Sequence, residues 1–92
     1  MQKTPGPNRD RFALESVLLK ALSETSKRHR ETSAELLRAT SDTPHDSHSD
    51  GMLLIKQASE ANRRAREEYR IALQRFTDFV AKGIIPDDLK QS

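Results

Sequence analysis

Histidine and aspartate side chains cluster in the stretch TPHDSHSDGM, residues 43–52. His45, His48 and Asp50 are of metal-ligand type, and the spacing of the two histidines can bring both imidazoles to one ion. Catalytic zinc, however, normally takes three protein ligands on a supporting frame, which this sequence does not indicate. Pro44 and Gly51 instead favour a break between two helices, with Asp50 as a capping residue. We therefore interpret the stretch as a turn and expect no bound metal or other cofactor.

Two runs of basic residues are the second candidate for chemistry, because paired cations can contact nucleic-acid phosphates. The candidate phosphate-contacting residues are Lys27, Arg28, Arg30, Arg63, Arg64 and Arg66. Acidic residues four positions away predict ion pairs within each helix, namely Glu24–Arg28, Lys27–Glu31, Glu60–Arg64, Arg63–Glu67 and Arg64–Glu68. Such pairs are typical of a solvated face, and no aromatic stacking residues or reader motif accompany the basic runs. Nucleic-acid association is therefore the alternative function.

Enzymatic activity has little support in the sequence. His29 is a general-base type, but a single histidine on a helix face has no nucleophile or oxyanion-binding motif beside it. The absence of cysteine excludes thiol catalysis and disulfides. We expect a non-catalytic protein without a small-molecule substrate.

Composition indicates one small helical domain. The chain has 92 residues, a net charge of +2, 34% apolar residues and 33% charged residues. Its first apolar run is interrupted by Glu15 and Lys20, so neither a signal peptide nor a membrane span is predicted. We expect a cytoplasmic protein.

The positions of apolar and small residues predict an antiparallel hairpin of two helices. We predict a flexible arm over 1–8, a hairpin domain over 9–83 and a tail over 84–92. The helices are predicted over about 9–41 and 50–82, with a turn over 42–50. A Schellman cap is predicted at Gly83, with Gly83 in the left-handed conformation and Ile84 folded back on Phe79. The predicted seam, at three- and four-residue spacing, comprises Leu14, Leu18, Leu22, Thr25, His29, Thr32, Leu36 and Ala39 on the first helix and Ile55, Ala58, Asn62, Ala65, Tyr69, Ala72, Phe76 and Phe79 on the second.

Counting outward from a turn near Asp46 predicts which residues face each other. Large residues then oppose small ones at both ends of the hairpin. In the middle, His29 falls opposite Asn62. The polar seam layer there comprises Thr25, His29 and Thr32 against Asn62 and Ala65. Such a layer lowers stability but fixes the register of the helices. We also expect Ile84 and Ile85 to close the far end near Phe12 and Leu14.

Several apolar residues cannot lie on this seam. The predicted oligomer or partner interface comprises Ile71, Leu73, Val80, Val17 and Leu37. A chain this small seldom stabilises itself with one stripe per helix, so dimerisation into a four-helix bundle or docking of a helical partner would cover these residues. The sequence therefore predicts an all-α, coiled-coil-like scaffold or adaptor for protein binding that forms a homodimer.

Overall fold

The computed structural model describes residues 7–42 and 49–90. Helix α1 spans Pro7–Asp42, helix α2 spans Ser49–Lys82, and a short 3-10 helix spans Asp87–Leu89. Helix α1 begins two residues before the predicted boundary of the arm. Proline is compatible with the first position of a helix, because the N–H group that proline lacks would have no partner there. The fixed φ of proline is also close to the helical value.

The two helices pack against each other as an antiparallel hairpin. The guanidinium of Arg11, near the start of α1, lies 4.8 Å from the ring centroid of Phe79, near the end of α2. Arg28 in turn binds Glu68, nearer the middle of α2. All sixteen positions of the predicted seam are buried or half-buried, so the spacing identified the contact faces of both helices.

The core of this hairpin is thin. Among the side chains that the structure describes, the buried apolar residues are Leu18, Ala65, Ala72 and Phe79. Two of these four are alanines, which permit close approach of the helices but bury little apolar surface. Eleven large apolar side chains of the described residues are exposed by 42% or more, which leaves much apolar surface in contact with water.

Gly83 ends α2 in the predicted left-handed conformation, with φ of 71°. Its N–H donates to the carbonyl of Phe79 at 2.9 Å, which is the bond of the αL motif and differs from the bonds of the predicted Schellman motif. The N–H of Ile84 reaches the carbonyl of Asp78 at 3.2 Å. Of the residues predicted to close the far end, Ile84 and Phe12 are 49% and 70% exposed, whereas Ile85 and Leu14 are half-buried.

The segment after Gly83 folds back along α2. The guanidinium of Arg75 binds the carboxylate of Asp88 in the 3-10 helix at 3.0 Å. Pro86 and Leu89 are half-buried, and the N–H of Leu89 donates to the carbonyl of Pro86 at 3.0 Å. Part of the predicted tail is therefore structured.

Candidate interaction surfaces

A polar layer lies inside the hairpin and is centred on Asn62, which is only 6% exposed. The Asn62 amide nitrogen donates to Ser33 Oγ at 2.8 Å and to Thr32 Oγ1 at 3.2 Å. Thr32 also donates to the carbonyl of Arg28. No buried side-chain nitrogen or oxygen of the described residues lacks a hydrogen-bond partner. The Asn62 amide is thus buried and hydrogen-bonded, as a polar group inside a helix pair must be to avoid a desolvation penalty. Its partners Thr32 and Ser33 are half-buried and exposed.

Thr32 meets Asn62 as predicted, but no direct hydrogen bond joins His29 to Asn62 in the described part of the chain. His29 stacks instead on Tyr69, with ring centroids 5.8 Å apart and ring planes inclined by 10°. Tyr69 lies seven residues, or about two helical turns, beyond Asn62 along α2. His29 and Asn62 therefore belong to two successive layers of the seam with different partners.

The direction of helical side chains explains this displacement. The midpoint in sequence between the end of α1 at Asp42 and the start of α2 at Ser49 falls between positions 45 and 46. The predicted centre of the turn, near Asp46, agrees with this midpoint. Side chains of a helix lean towards its own N-terminus. His29 therefore leans away from the turn and meets Tyr69, whereas Asn62 leans towards the turn and meets Thr32. Counting Cα positions alone omits this offset.

The candidate phosphate-contacting residues are all exposed, but their ion pairs differ from those predicted. Arg28 binds Glu68 across the hairpin, and Arg30 donates to Ser26 at 2.9 Å. None of the five predicted pairs occurs among the ion pairs that the structure records for this part of the chain. Lys27, Arg63, Arg64 and Arg66, the four free cations of this belt, have no ion-pair partner among the described residues.

Glu67 binds Arg70 rather than Arg63, with the carboxylate 2.8 Å from the guanidinium. The hydrogen bond from Arg70, together with its charge, holds the pKa of Glu67 below its ordinary value, and the pair raises the pKa of Arg70. A lowered carboxylate pKa stabilises the fold above the unfolded pKa, and the stabilisation is lost as pH falls through the folded pKa. Both groups are exposed, so the effect is screened by solvent.

The predicted interface residues are exposed, and helical geometry divides them between two flanks. Ile71 and Leu73 are 43% and 42% exposed, and they lie 100° to either side of the buried Ala72. Val17 shares the flank of Ile71, and Val80 shares the flank of Leu73. Leu37, 67% exposed, lies near the turn. The off-seam residues therefore form two surfaces where the sequence predicted one.

The flank that contains Ile71 forms an open groove of about 250 Å³. Leu18, Ala21 and Ala72 line it together with Ile71, and the charged residues Glu68 and Arg75 stand at its edge. We call this surface the groove flank.

The opposite surface was not recognised as a unit from the sequence. Phe12 and Leu19 on α1 are 70% and 50% exposed, and they share one flank with Leu73 and Val80 on α2. Phe12 and Leu19 are seven residues apart on α1, as are Leu73 and Val80 on α2. Seven residues is the repeat of helices that pack along a common seam. We call these four residues the heptad flank. The seven-residue spacing could have revealed this surface from the sequence. It was missed because Phe12 was predicted to lie at the closed end of the hairpin.

The candidate metal ligands His45 and His48 lie outside the described residues, as does the side chain of Asp50. Within the described part of the chain, no group of three or more acidic, histidine or cysteine side chains is placed to hold a metal ion.

Neither α1 nor α2 carries an apolar stretch long enough to cross a bilayer. Comparison of the chain with protein-family models, curated proteins and solved structures found no match.

Proposed function

We propose that this chain is a non-catalytic, cytoplasmic interaction or scaffold protein that self-associates into a homodimeric four-helix bundle. The supporting observation is the imbalance between four buried apolar residues and eleven exposed large ones among the described side chains. Covering a half-exposed leucine contributes about 1 kcal/mol, since full burial of such a side chain contributes about 2 kcal/mol. Association therefore supplies apolar burial that the single hairpin lacks.

The buried Asn62 favours a defined assembly over non-specific aggregation. A polar side chain with two partners across the seam holds the helices in one register, because a slipped register would leave its amide unsatisfied. Each hairpin then presents its exposed apolar residues at fixed positions. Fixed positions are what a scaffold needs to bind one partner geometry reproducibly.

The solution mass tests this proposal directly. Light scattering over a dilution series from high to low micromolar concentration should give a mass that falls from two chains to one, with a melting temperature that falls on dilution. A monodisperse monomer at the highest concentration, with a melting temperature that does not change on dilution, would reject the homodimer. Binding of a separate helical partner would then be the remaining form of the scaffold function.

A second candidate function is association with nucleic acid. It is favoured by one observation: the four free cations Lys27, Arg63, Arg64 and Arg66 are exposed in the middle of the hairpin. Binding of a fluorescent oligonucleotide should weaken steeply with salt, by a slope of about −0.9 per phosphate contacted in duplex DNA. Replacing Arg63 with Ala should lower that slope, whereas the ion-paired Arg38 provides a matched control. Absence of salt-dependent binding would reject this candidate.

A further inference from the structure

We propose that the phosphate backbone of nucleic acid binds one flank of the hairpin, on the exposed residues Arg30, Arg63, Arg66 and Arg70. We call these four residues the arginine patch. The inference rests on the second candidate function, association with nucleic acid, and specifies the surface that performs it. It gives Arg64, which lies on the opposite flank, no part in binding.

Each arginine of the patch directly follows a seam residue. Arg30 comes after His29 on α1, and on α2 an arginine follows each of Asn62, Ala65 and Tyr69. One residue turns an α-helix by about 100°. In two antiparallel helices that face each other, one step forward along either chain turns towards the same flank of the pair. The four arginines therefore occupy one side of the hairpin.

Acidic side chains are concentrated on the other side, the groove flank. Arg28 and Glu68, which each directly precede a seam residue, bind each other there. Among the described residues, the acids that directly precede seam residues are Glu24, Glu31, Glu35, Glu68 and Asp78. Glu15 is the one described acid that directly follows a seam residue, and it lies about 22 Å along α1 from the patch. The two flanks therefore differ in charge, and the arginine patch is on the cationic one.

Arg30 and Arg66 lie side by side across the hairpin. Two observed contacts between the helices, at Asn62 and at Tyr69, bracket them. Arg66 lies between these two positions on α2, and Arg30 lies between their partners on α1. Neither arginine has an acidic residue three or four positions away in its own helix, and neither forms an ion pair with a described residue. Two like charges thus stand together, and their repulsion is relieved when an anion binds.

The patch matches a phosphate backbone in spacing and in chemistry. On α2 its three arginines rise by about 4.5 and 6 Å along the helix axis, which is comparable with one to two nucleotides of a strand at about 3.4 Å each. Guanidinium groups bind phosphate oxygens through paired hydrogen bonds. The hydroxyl of Ser26 accepts a hydrogen bond from Arg30 at 2.9 Å and orients it. Ser33 is exposed beside the patch, and its hydroxyl can donate to a phosphate oxygen.

The patch offers no platform for base stacking. The aromatic rings nearest to it in the described part of the hairpin, His29 and Tyr69, are half-buried and stack on each other. Contacts to phosphates carry no sequence information. We therefore expect the patch to bind duplex DNA of any sequence.

Two arginines that are two residues apart provide the test. Arg66→Gln and Arg64→Gln each remove one exposed cation without an ion pair, on opposite flanks of α2. A fluorescent DNA duplex should bind the wild type with a salt slope of about −2.7, since three arginines of the patch lack an ion pair. Arg66→Gln, and Arg30→Gln on the other helix, should each weaken binding about five- to tenfold at about 0.1 M salt and make the slope shallower by about 0.9. Arg64→Gln should change affinity by less than about twofold, because the charge on the far flank is screened over a Debye length of about 10 Å.

The outcomes separate the patch from the candidate function. Circular dichroism checks that the three variants keep their helices. A wild type without salt-dependent binding would reject nucleic-acid association itself. Equal weakening by Arg64→Gln and Arg66→Gln would overturn the arginine patch and leave the association standing. Vesicles of phosphatidylserine and phosphatidylcholine form the second arm of the test, and tighter binding to them than to the duplex, weakened in the same variants, would overturn nucleic acid as the ligand.

Discussion

Replacing Asn62 with Ala should lower stability substantially, and the structure gives the magnitude. The substitution removes the two hydrogen bonds to Ser33 and Thr32. Each such bond contributes about 1 kcal/mol net, so the free energy of unfolding should fall by about 2 kcal/mol. For a domain of this size that corresponds to a melting temperature about 10 °C lower. The measurement is a thermal melt followed by circular dichroism at one fixed protein concentration, because dimerisation makes the melting temperature depend on concentration.

Double-mutant cycles identify the partner of this asparagine. Asn62→Ala combined with Ser33→Ala should show a coupling energy of about 1 kcal/mol, since both single variants remove the same hydrogen bond. Asn62→Ala combined with His29→Ala should be additive within about 0.5 kcal/mol, because the structure places the two side chains in different layers. The first coupling measures the observed contact, and the second measures the pairing that counting from the turn predicts.

A matched control separates the buried amide from the loss of any polar side chain. Gln57 is exposed on the same helix, so Gln57→Ala should change the free energy of unfolding by no more than about 0.5 kcal/mol. A larger coupling energy of Asn62 with His29 than with Ser33 would contradict this register of the hairpin. So would an equal loss of stability in Asn62→Ala and Gln57→Ala.

Three other predictions concern the ends of the hairpin. Gly83→Ala should lower stability by about 1 kcal/mol in thermal melts, because an alanine is strained at φ of 71° although nothing lies within 4 Å of the added Cβ. Asp88→Ala should change stability by less than about 1 kcal/mol but accelerate amide exchange near the 3-10 helix, since its ion pair with Arg75 is exposed. Replacing His45 and His48 with Ala should leave folding unchanged, and calorimetric titration of the wild type should show no tight zinc binding.

The sequence predicts the helices and their contact faces because both depend on local spacing. Seam residues as different as Leu18, Thr32 and Ala65 recur at three- and four-residue intervals, and the structure buries or half-buries them. Gly83 was likewise predicted as a left-handed cap from its position after Lys82. Such features need only the periodicity of the α-helix and the chemistry of its ends.

Contacts between the helices were predicted less well, because they depend on the direction and length of side chains. The lean of side chains towards the starts of their helices places His29 on Tyr69, whereas Asn62 keeps the predicted neighbour Thr32. The in-helix ion pairs failed for a related reason: Glu68 reaches Arg28 across the hairpin, and Glu67 binds Arg70 three residues away. Sequence spacing identifies which exposed charges are neighbours but does not rank the alternatives, whose energies differ by only a few tenths of a kcal/mol.

The polar layer and the heptad flank are linked by the register of the hairpin. A slip of one helical turn would shift Leu19 on α1 by about 5.4 Å relative to Leu73 on α2. The same slip would remove Ser33 and Thr32 from Asn62 and leave a buried amide unsatisfied, at a cost of about 1–3 kcal/mol. A thin core of small side chains opposes such a slip only weakly. The buried asparagine therefore fixes the positions of the exposed apolar residues of one helix relative to those of the other.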